Sequence, residues 1–273
     1  MSLRPEHPLR LLCKLLEVPR SSVYYQSQAG PGVDLISLKA LILSVRVTFP
    51  GMGFRKMYFY LIRHYARYSR STVRRAFVEL GIIGKARQAL PKTTNSKSTR
   101  NRFPNLMKEL NIDHPNQVWV GDVTCLKVGT RFVYLAHLMD AYSRMILGWA
   151  LSFSNDTTLA LAALDMALLT GYPTLHHTDQ GCPYGSTAYL KRLGQHPIQS
   201  SMSDVGKPED NGKSERFNRS VKEEEAYRNE YQNLPEARKA IDAYITKYNN
   251  LRPHQSLDYR TPREVHTKQA ATL

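Results

Sequence analysis

Residues Asp204–Glu225, DVGKPEDNGKSERFNRSVKEEE, are the stretch around which the rest of the chain has to be arranged. Gly206, Pro208, Asp210, Asn211 and Gly212 are turn and cap residues, so the stretch opens as a turn. From Glu215 to Glu225 no breaker occurs, so it continues as a helix with Glu215 about one turn inside the N-terminus. Arg219 and Lys222 follow at i+4 and i+7 and share the face of Glu215. Alone, this is an ordinary helix surface: a first-turn glutamate complements the helix dipole and pairs with an arginine one turn on. Two aspartates point elsewhere. Asp122 follows the apolar run Val118-Trp119-Val120, and Asp179 follows Thr174-Leu175-His176-His177-Thr178. Between Asp179 and Glu215 lie 35 residues. Two strand-end aspartates and a helix-start glutamate can converge on one divalent-metal site.

Five segments carry a family likeness: PNQVWVGDVTCL around Asp122, YLAHLMDAYSRMILGWAL after it, HHTDQGCPYGS around Asp179, GKPEDNGKSERFNRSVKEE around Glu215, and YNNLRPHQSLDYRTP from Tyr248 to Pro262. Together they resemble the acidic-triad transposases and retroviral integrases, and within them the second-frame product of the IS3-type bacterial insertion sequences. The resemblance covers nearly the whole chain. It implies an α/β fold: a ribonuclease-H-like catalytic domain, with a mixed five-stranded sheet flanked by helices, preceded by an all-α helix-turn-helix region. Two places depart from the family pattern. Asp204 stands where a basic residue is usual, and Cys125 where an aromatic one is frequent.

The balance of charge agrees with this. Lys plus Arg number 38 against 23 acidic residues, a net +15. Such an excess implies a polyanionic partner: nucleic acid first, an anionic membrane surface second. The longest apolar helix, Leu159 to Leu169, is interrupted by Asp165 and too short to span a bilayer. Arg10, Lys14 and Glu17 break up any signal-peptide core, so a cytoplasmic protein is expected. Cys13, Cys125 and Cys182 form no disulfide framework and no CxxC pair. His176, His177 and Cys182 lack a fourth zinc ligand at a recognised spacing.

Taken in order, the chain divides into a helical region, 1–84, a basic linker, 85–112, and a catalytic core with its tail, 113–273. CKLLEVPRSSVYY has the pattern of a helix-turn-helix, with helices at Leu9–Leu16 and from Val23. A second follows: helices over Leu35–Val47, Phe54–Tyr68 and Val73–Leu80, the last capped by Ser69-Arg70-Ser71-Thr72 and ended by Gly81. In the related family a Gly-x-Arg-Lys/Arg run follows a Pro-x-x-Gly turn, and here that run is Gly53-Phe54-Arg55-Lys56. Arg55, Lys56, Arg70, Arg74 and Arg75 are therefore expected to contact DNA; the alternative is a solvated basic face. In the core, strands are expected at Val118–Lys127, Phe132–Met139, Ser143–Phe153, Thr174–Thr178 and Ile198–Ser201. Helices are expected at Thr157–Leu169, Ser186–Leu193 and Pro235–Tyr248, and a hairpin turn at Gly129-Thr130.

The resemblance then assigns the chemistry. Asp122, Asp179 and Glu215 are the catalytic and metal-binding residues, with Asp122 bridging two magnesium or manganese ions, Asp179 holding one and Glu215 the other. Two ions about 4 Å apart serve the attacking and leaving oxygens of an in-line phosphoryl displacement. Water attacks first, and the freed 3′-hydroxyl attacks next. Arg219 and Lys222 are expected to hold phosphates, and Gln180, Gly181 and Asn211 to shape the loops around the acids. The implied partners are double-stranded DNA, as transposon inverted-repeat ends and as target, further copies of the chain on that DNA, and an upstream-frame protein. That protein ordinarily supplies a further helix-turn-helix and a zipper, which this chain starts without. Two other readings stand beside the transposase: a DNA-binding protein without activity, and a nuclease or resolvase on the same fold.

Overall fold

The computed structural model describes residues 8–15, 17–19, 34–65, 68–82, 103–181, 183–204 and 211–270. The helical region contains α1 (Leu9–Leu15), α2 (Leu35–Thr48), α3 (Phe54–His64) and α4 (Arg70–Glu79). The helix expected from Val23 lies outside the described residues. Asp34 caps α2 by accepting from the N–H groups of Ile36 and Ser37, and Ser69 caps α4 by accepting from Thr72. α2, α3 and α4 enclose one small core that includes Leu38, Ile42, Met57, Leu61, Val73 and Phe77. α3 stops at His64, short of the expected Tyr68, because Ser69 must be extended to cap the next helix.

The larger unit is built on five strands: β1 (Val118–Val128), β2 (Arg131–Asp140), β3 (Ile146–Ser152), β4 (Leu175–Thr178) and β5 (Gln199–Met202). Their order is β3-β2-β1-β4-β5. β1, β2 and β3 form an antiparallel meander, and β4 and β5 add to β1 in parallel. β2 turns back at Gly129, whose φ of 55° suits glycine. α5 (Thr157–Leu168) and α6 (Thr187–Leu193) cover one face; α7 (Gly212–Val221), α8 (Leu234–Asn250) and α9 (Pro262–Ala270) lie toward the other. β1 serves both layers by its period of two. Val118, Val120, Leu126 and Val128 join Phe217, Val221 and Ile241, while Trp119 joins Leu159, Ala163 and Leu164. On the α5 side Gly148 of β3 allows close approach: a Cβ there would meet the Ala163 carbonyl and lie 2.6 Å from the Ala167 nitrogen.

Three sequence expectations shift. β3 begins at Ile146, not Ser143, because Asp140 folds the intervening residues into a turn. Its carboxylate accepts from the Ser143 N–H at 2.6 Å, the Ser143 hydroxyl at 2.7 Å and the Asn116 N–H at 2.7 Å. The helix after Glu215 does not run on regularly to Glu225. α7 ends at Val221 and a single π turn, Lys222–Ala226, follows it, closed by Tyr227 N–H donating to the Lys222 carbonyl at 2.8 Å. Residues 103–112, placed in the linker on composition, lie on the core. Phe103 packs on the α5 side, Met107 and Ile112 on the α8 side, and Leu106 N–H donates to Ser201 Oγ at 3.0 Å.

Candidate active site

Strand alternation puts Asp122 on the same sheet face as Val118 and Val120, toward α7. Parallel pairing of Thr178 with Gly121 then brings Asp179, the first residue past β4, beside it. α7 is tied over the pair at its start, where the Asn211 amide donates to the Gly121 carbonyl at 3.1 Å. One turn after Glu215, the Asn218 amide donates to Asp122 Oδ2 at 2.8 Å, and the Val123 N–H donates to Oδ1 at 2.8 Å. Asp179 Oδ1 accepts from the Gly181 N–H at 2.9 Å, and a Cβ on Gly181 would lie 2.8 Å from that oxygen. Gln180 fastens the same loop by donating to the Ser203 carbonyl at 2.9 Å.

Both other acids bear electrostatically on Asp122. Burial raises the pKa of Asp122 to about 7, Asp179 adds to the rise, and Glu215 acts in the same direction; the Val123 N–H and the Asn218 amide oppose it. Burial raises Asp179 as well, against the Gly181 N–H. Glu215 itself is exposed in the first turn of α7. Among the described residues, no three His, Cys, Asp or Glu side chains are gathered closely enough to enclose a metal ion. The donor chemistry nonetheless fits a hard divalent cation: two adjoining carboxylates in a dry setting, one of them unable to ionise fully near neutral pH without a counter-charge.

A stability test follows. The folded pKa of Asp122 lies above its unfolded value, so its neutral form favours the fold. That contribution is complete below about pH 4 and is lost as pH rises through about 7. Free of divalent ions, the wild type should lose stability between roughly pH 5 and 7.5 relative to Asp122→Asn, and magnesium should cancel the loss. Thermal melts across pH with and without chelator read this directly; parallel curves for the two proteins would remove the charge coupling.

Two residues here carry no obvious sequence signal. Asn218 stands among charged neighbours, and only its i+3 relation to Glu215 marks it. His137 sits opposite Asp122 in the β1–β2 register, wholly buried, its ring 4.6 Å from that of Phe217. Burial drops its pKa to about 3, so it is neutral. The other histidines near the acids are core groups. His176 bonds Tyr189 at 2.8 Å, and His177 bonds Ser201 at 2.8 Å and Ser203 at 3.1 Å, while Cys182 lies outside the described residues. Asp204 pairs with Lys108 at 2.5 Å. Burial raises the Cys125 thiol, and the charge of Lys222 opposes the rise.

The remaining basic residues separate into two groups. Arg219, Arg55, Arg70, Arg74 and Arg75 are exposed, Arg70 over the Phe54 ring at 5.9 Å and Arg75 3.8 Å from Glu79. Lys56 is turned inward. Burial, then Arg252, lowers its pKa to about 8, and Glu224 works against the shift.

The strand order and the two acids where β1 and β4 lie side by side put this core in the ribonuclease-H-like class. Two models, each described as an integrase core domain, match residues 112–208 and 196–262. The transposase of insertion sequence IS629 from Shigella sonnei is 29% identical over 99% of this chain and 95% of its own length. The putative transposase InsK of IS150 from Escherichia coli K12 is 30% identical over 96% of this chain and 94% of its own. The integrase assembly of simian T-cell lymphotropic virus shares the fold, with a TM-score of 0.51 at 17% identity over 83% of this chain and 74% of that one. The chain belongs to the IS3-type insertion-sequence transposases, acidic-triad polynucleotidyl transferases that act in DNA transposition.

Proposed function

We propose that this chain cuts the ends of its own insertion sequence and joins them to target DNA, using Asp122, Asp179 and Glu215 as one divalent-metal site. The observation that supports this most is the geometry: β1 and β4 set Asp179 beside Asp122, and α7, which carries Glu215, is tied over them through Asn211 and Asn218. Magnesium or manganese, as two ions held by these three carboxylates, would supply the counter-charge that phosphoryl transfer needs. The chain's own groups do the rest. Asn218 fixes the Asp122 carboxylate, Gly181 and Gln180 hold the Asp179 loop, and Asn211 sets the start of α7. Arg219, exposed on α7, and Lys222, half-buried at the start of the π turn, hold the phosphates flanking the reacting one. Arg55, Arg70, Arg74 and Arg75 read or grip the duplex from the helical region. The protein works in the cytoplasm, as several copies on DNA, with or without an upstream-frame partner. No helix among the described residues is long and apolar enough to cross a membrane.

A strand-transfer assay on transposon-end DNA with this chain alone, then with the upstream-frame product, tests the reading. Failure in both arms sinks it. End affinity should also fall by orders of magnitude between roughly 50 and 200 mM salt, since the net charge is +15 and the contacts are with phosphate. A gel-shift titration showing a flat salt response would exclude a phosphate-dominated contact.

A further inference from the structure

Three parts of the chain meet at one carboxylate. Glu224 lies in the π turn that continues α7, nine positions beyond Glu215. Arg252, from the tail, grips it with two bonds, Nε to Oε2 at 2.8 Å and Nη2 to Oε1 at 2.5 Å, and the Tyr244 hydroxyl donates to Oε2 at 3.3 Å. From the helical region Lys56 acts on the same carboxylate. The turn before α3 closes over it: a Cβ on Gly51 would lie 3.2 Å from Glu224 Cγ.

Lys56 is one of a row. Lys56, Phe59 and Arg63 stand at i, i+3 and i+7, along one side of α3. Phe59 stacks on Tyr259 with ring centroids 3.8 Å apart, and Arg63 pairs with Glu264 at 2.9 Å. Asp258 and Tyr259 both have positive φ, 51° and 59°, so the tail bends sharply to present the tyrosine. α3 therefore docks on the core, while α4 keeps Arg70, Arg74 and Arg75 exposed. A cleft of about 260 Å³ beside the junction, with Phe49 and Pro50 on one side and Tyr244 and Lys247 on the other, separates the two units locally.

We propose that Glu224 is a positioning residue: the docked helical region, through Lys56, fixes the π turn, and the π turn fixes where α7 holds Glu215 and Asn218 over the aspartates. A π turn carries one residue more than an α turn, so its register is the place where a helix can slip. Clamping its central carboxylate from two sides sets that register. The helical region thus bears on the acids through Lys56, Glu224 and the π turn that continues α7. The proposal rests on the triad reading given above.

Hydrogen exchange on the metal-free full chain tests it without catalysis, beside end binding and end cleavage in magnesium. Lys56→Met should speed exchange of the 212–226 segment about tenfold and leave α5 unchanged, a local rather than global opening. Cleavage should fall about tenfold while end affinity changes less than about threefold. Lys56→Arg should restore both. Arg63→Ala, an exposed change on the same row, should give the same exchange signature at lower amplitude, which covers the case in which Lys56→Met does not fold. Unchanged exchange in 212–226 overturns the proposal. So does a loss of affinity equal to the loss of cleavage, which would make Lys56 a phosphate contact. A wild-type chain inactive on end DNA counts instead against the triad reading, and the exchange result still decides this one.

Discussion

Glu215→Gln should lower end cleavage and strand transfer by several orders of magnitude while end binding survives. The change keeps size and helix position and removes only charge. A neutral amide is a poor ligand for a magnesium ion, so the counter-charge is weakened where the transition state needs it. The helical region and the basic faces are untouched, and binding can tighten slightly, because a carboxylate near phosphate is repulsive when no metal is bound. If Glu215 served only as the first-turn acid of α7, its loss would cost about 0.3–1 kcal/mol of stability and leave activity nearly intact. An end-cleavage assay in magnesium beside a gel-shift titration separates the two. Cleavage near the wild-type rate would take Glu215 out of the site.

Arg252→Met should destabilise the protein by about 3–5 kcal/mol, the usual cost of stripping one partner from a buried ion pair. The side chains of Arg252 and Glu224 are 6% and 18% exposed. Glu224 ionises readily there. Burial opposes it, but Arg252, by charge and by hydrogen bond, and Lys56 together hold its pKa below the ordinary value. Arg252 also lies over the Tyr248 ring at 5.4 Å, so packing is lost with the charge. The double change Arg252→Met with Glu224→Gln should recover much of the stability, since no bare carboxylate is left in the interior. Denaturant unfolding of the wild type, each single variant and the double variant measures this. A loss under about 1 kcal/mol for Arg252→Met would mean that water reaches the pair.

The fold was legible where local chemistry and burial agree. Apolar alternation in β1, the glycine turn at 129, Ser69 as a cap and the breaker-free run after Gly212 each point one way. Asp179 was legible because it closes a strand-like run; Asp122, also read as a strand end, sits inside β1, which runs on to Val128 because it pairs with β2 along its length. What stayed hidden depends on partners far away in sequence. KEEEA is composed of good helix formers, and nothing local announces a π turn; the carboxylate at its centre is held by Arg252, 28 residues on. Lys56 looked like one more cation for DNA, because charge composition does not say which side of α3 is covered. Phe103, Met107 and Ile112 were diluted by the polar run before them, yet three apolar side chains suffice to hold a segment on a core. His137 gives no sign in sequence that it faces Asp122, since the register of β2 fixes that.

The docking of α3 on the tail also sets the unit in which such a protein can be rearranged by recombination. A crossover between the helical region and the sheet would nominally separate a reading part from a cutting part. It would in fact divide Lys56 from Glu224 and Arg252, Phe59 from Tyr259, and Arg63 from Glu264. Chimeras that exchange residues 34–82 together with 222–270 keep these pairs matched, and those that exchange the first segment alone do not. The segments before and after the catalytic sheet are in this sense one coupled piece.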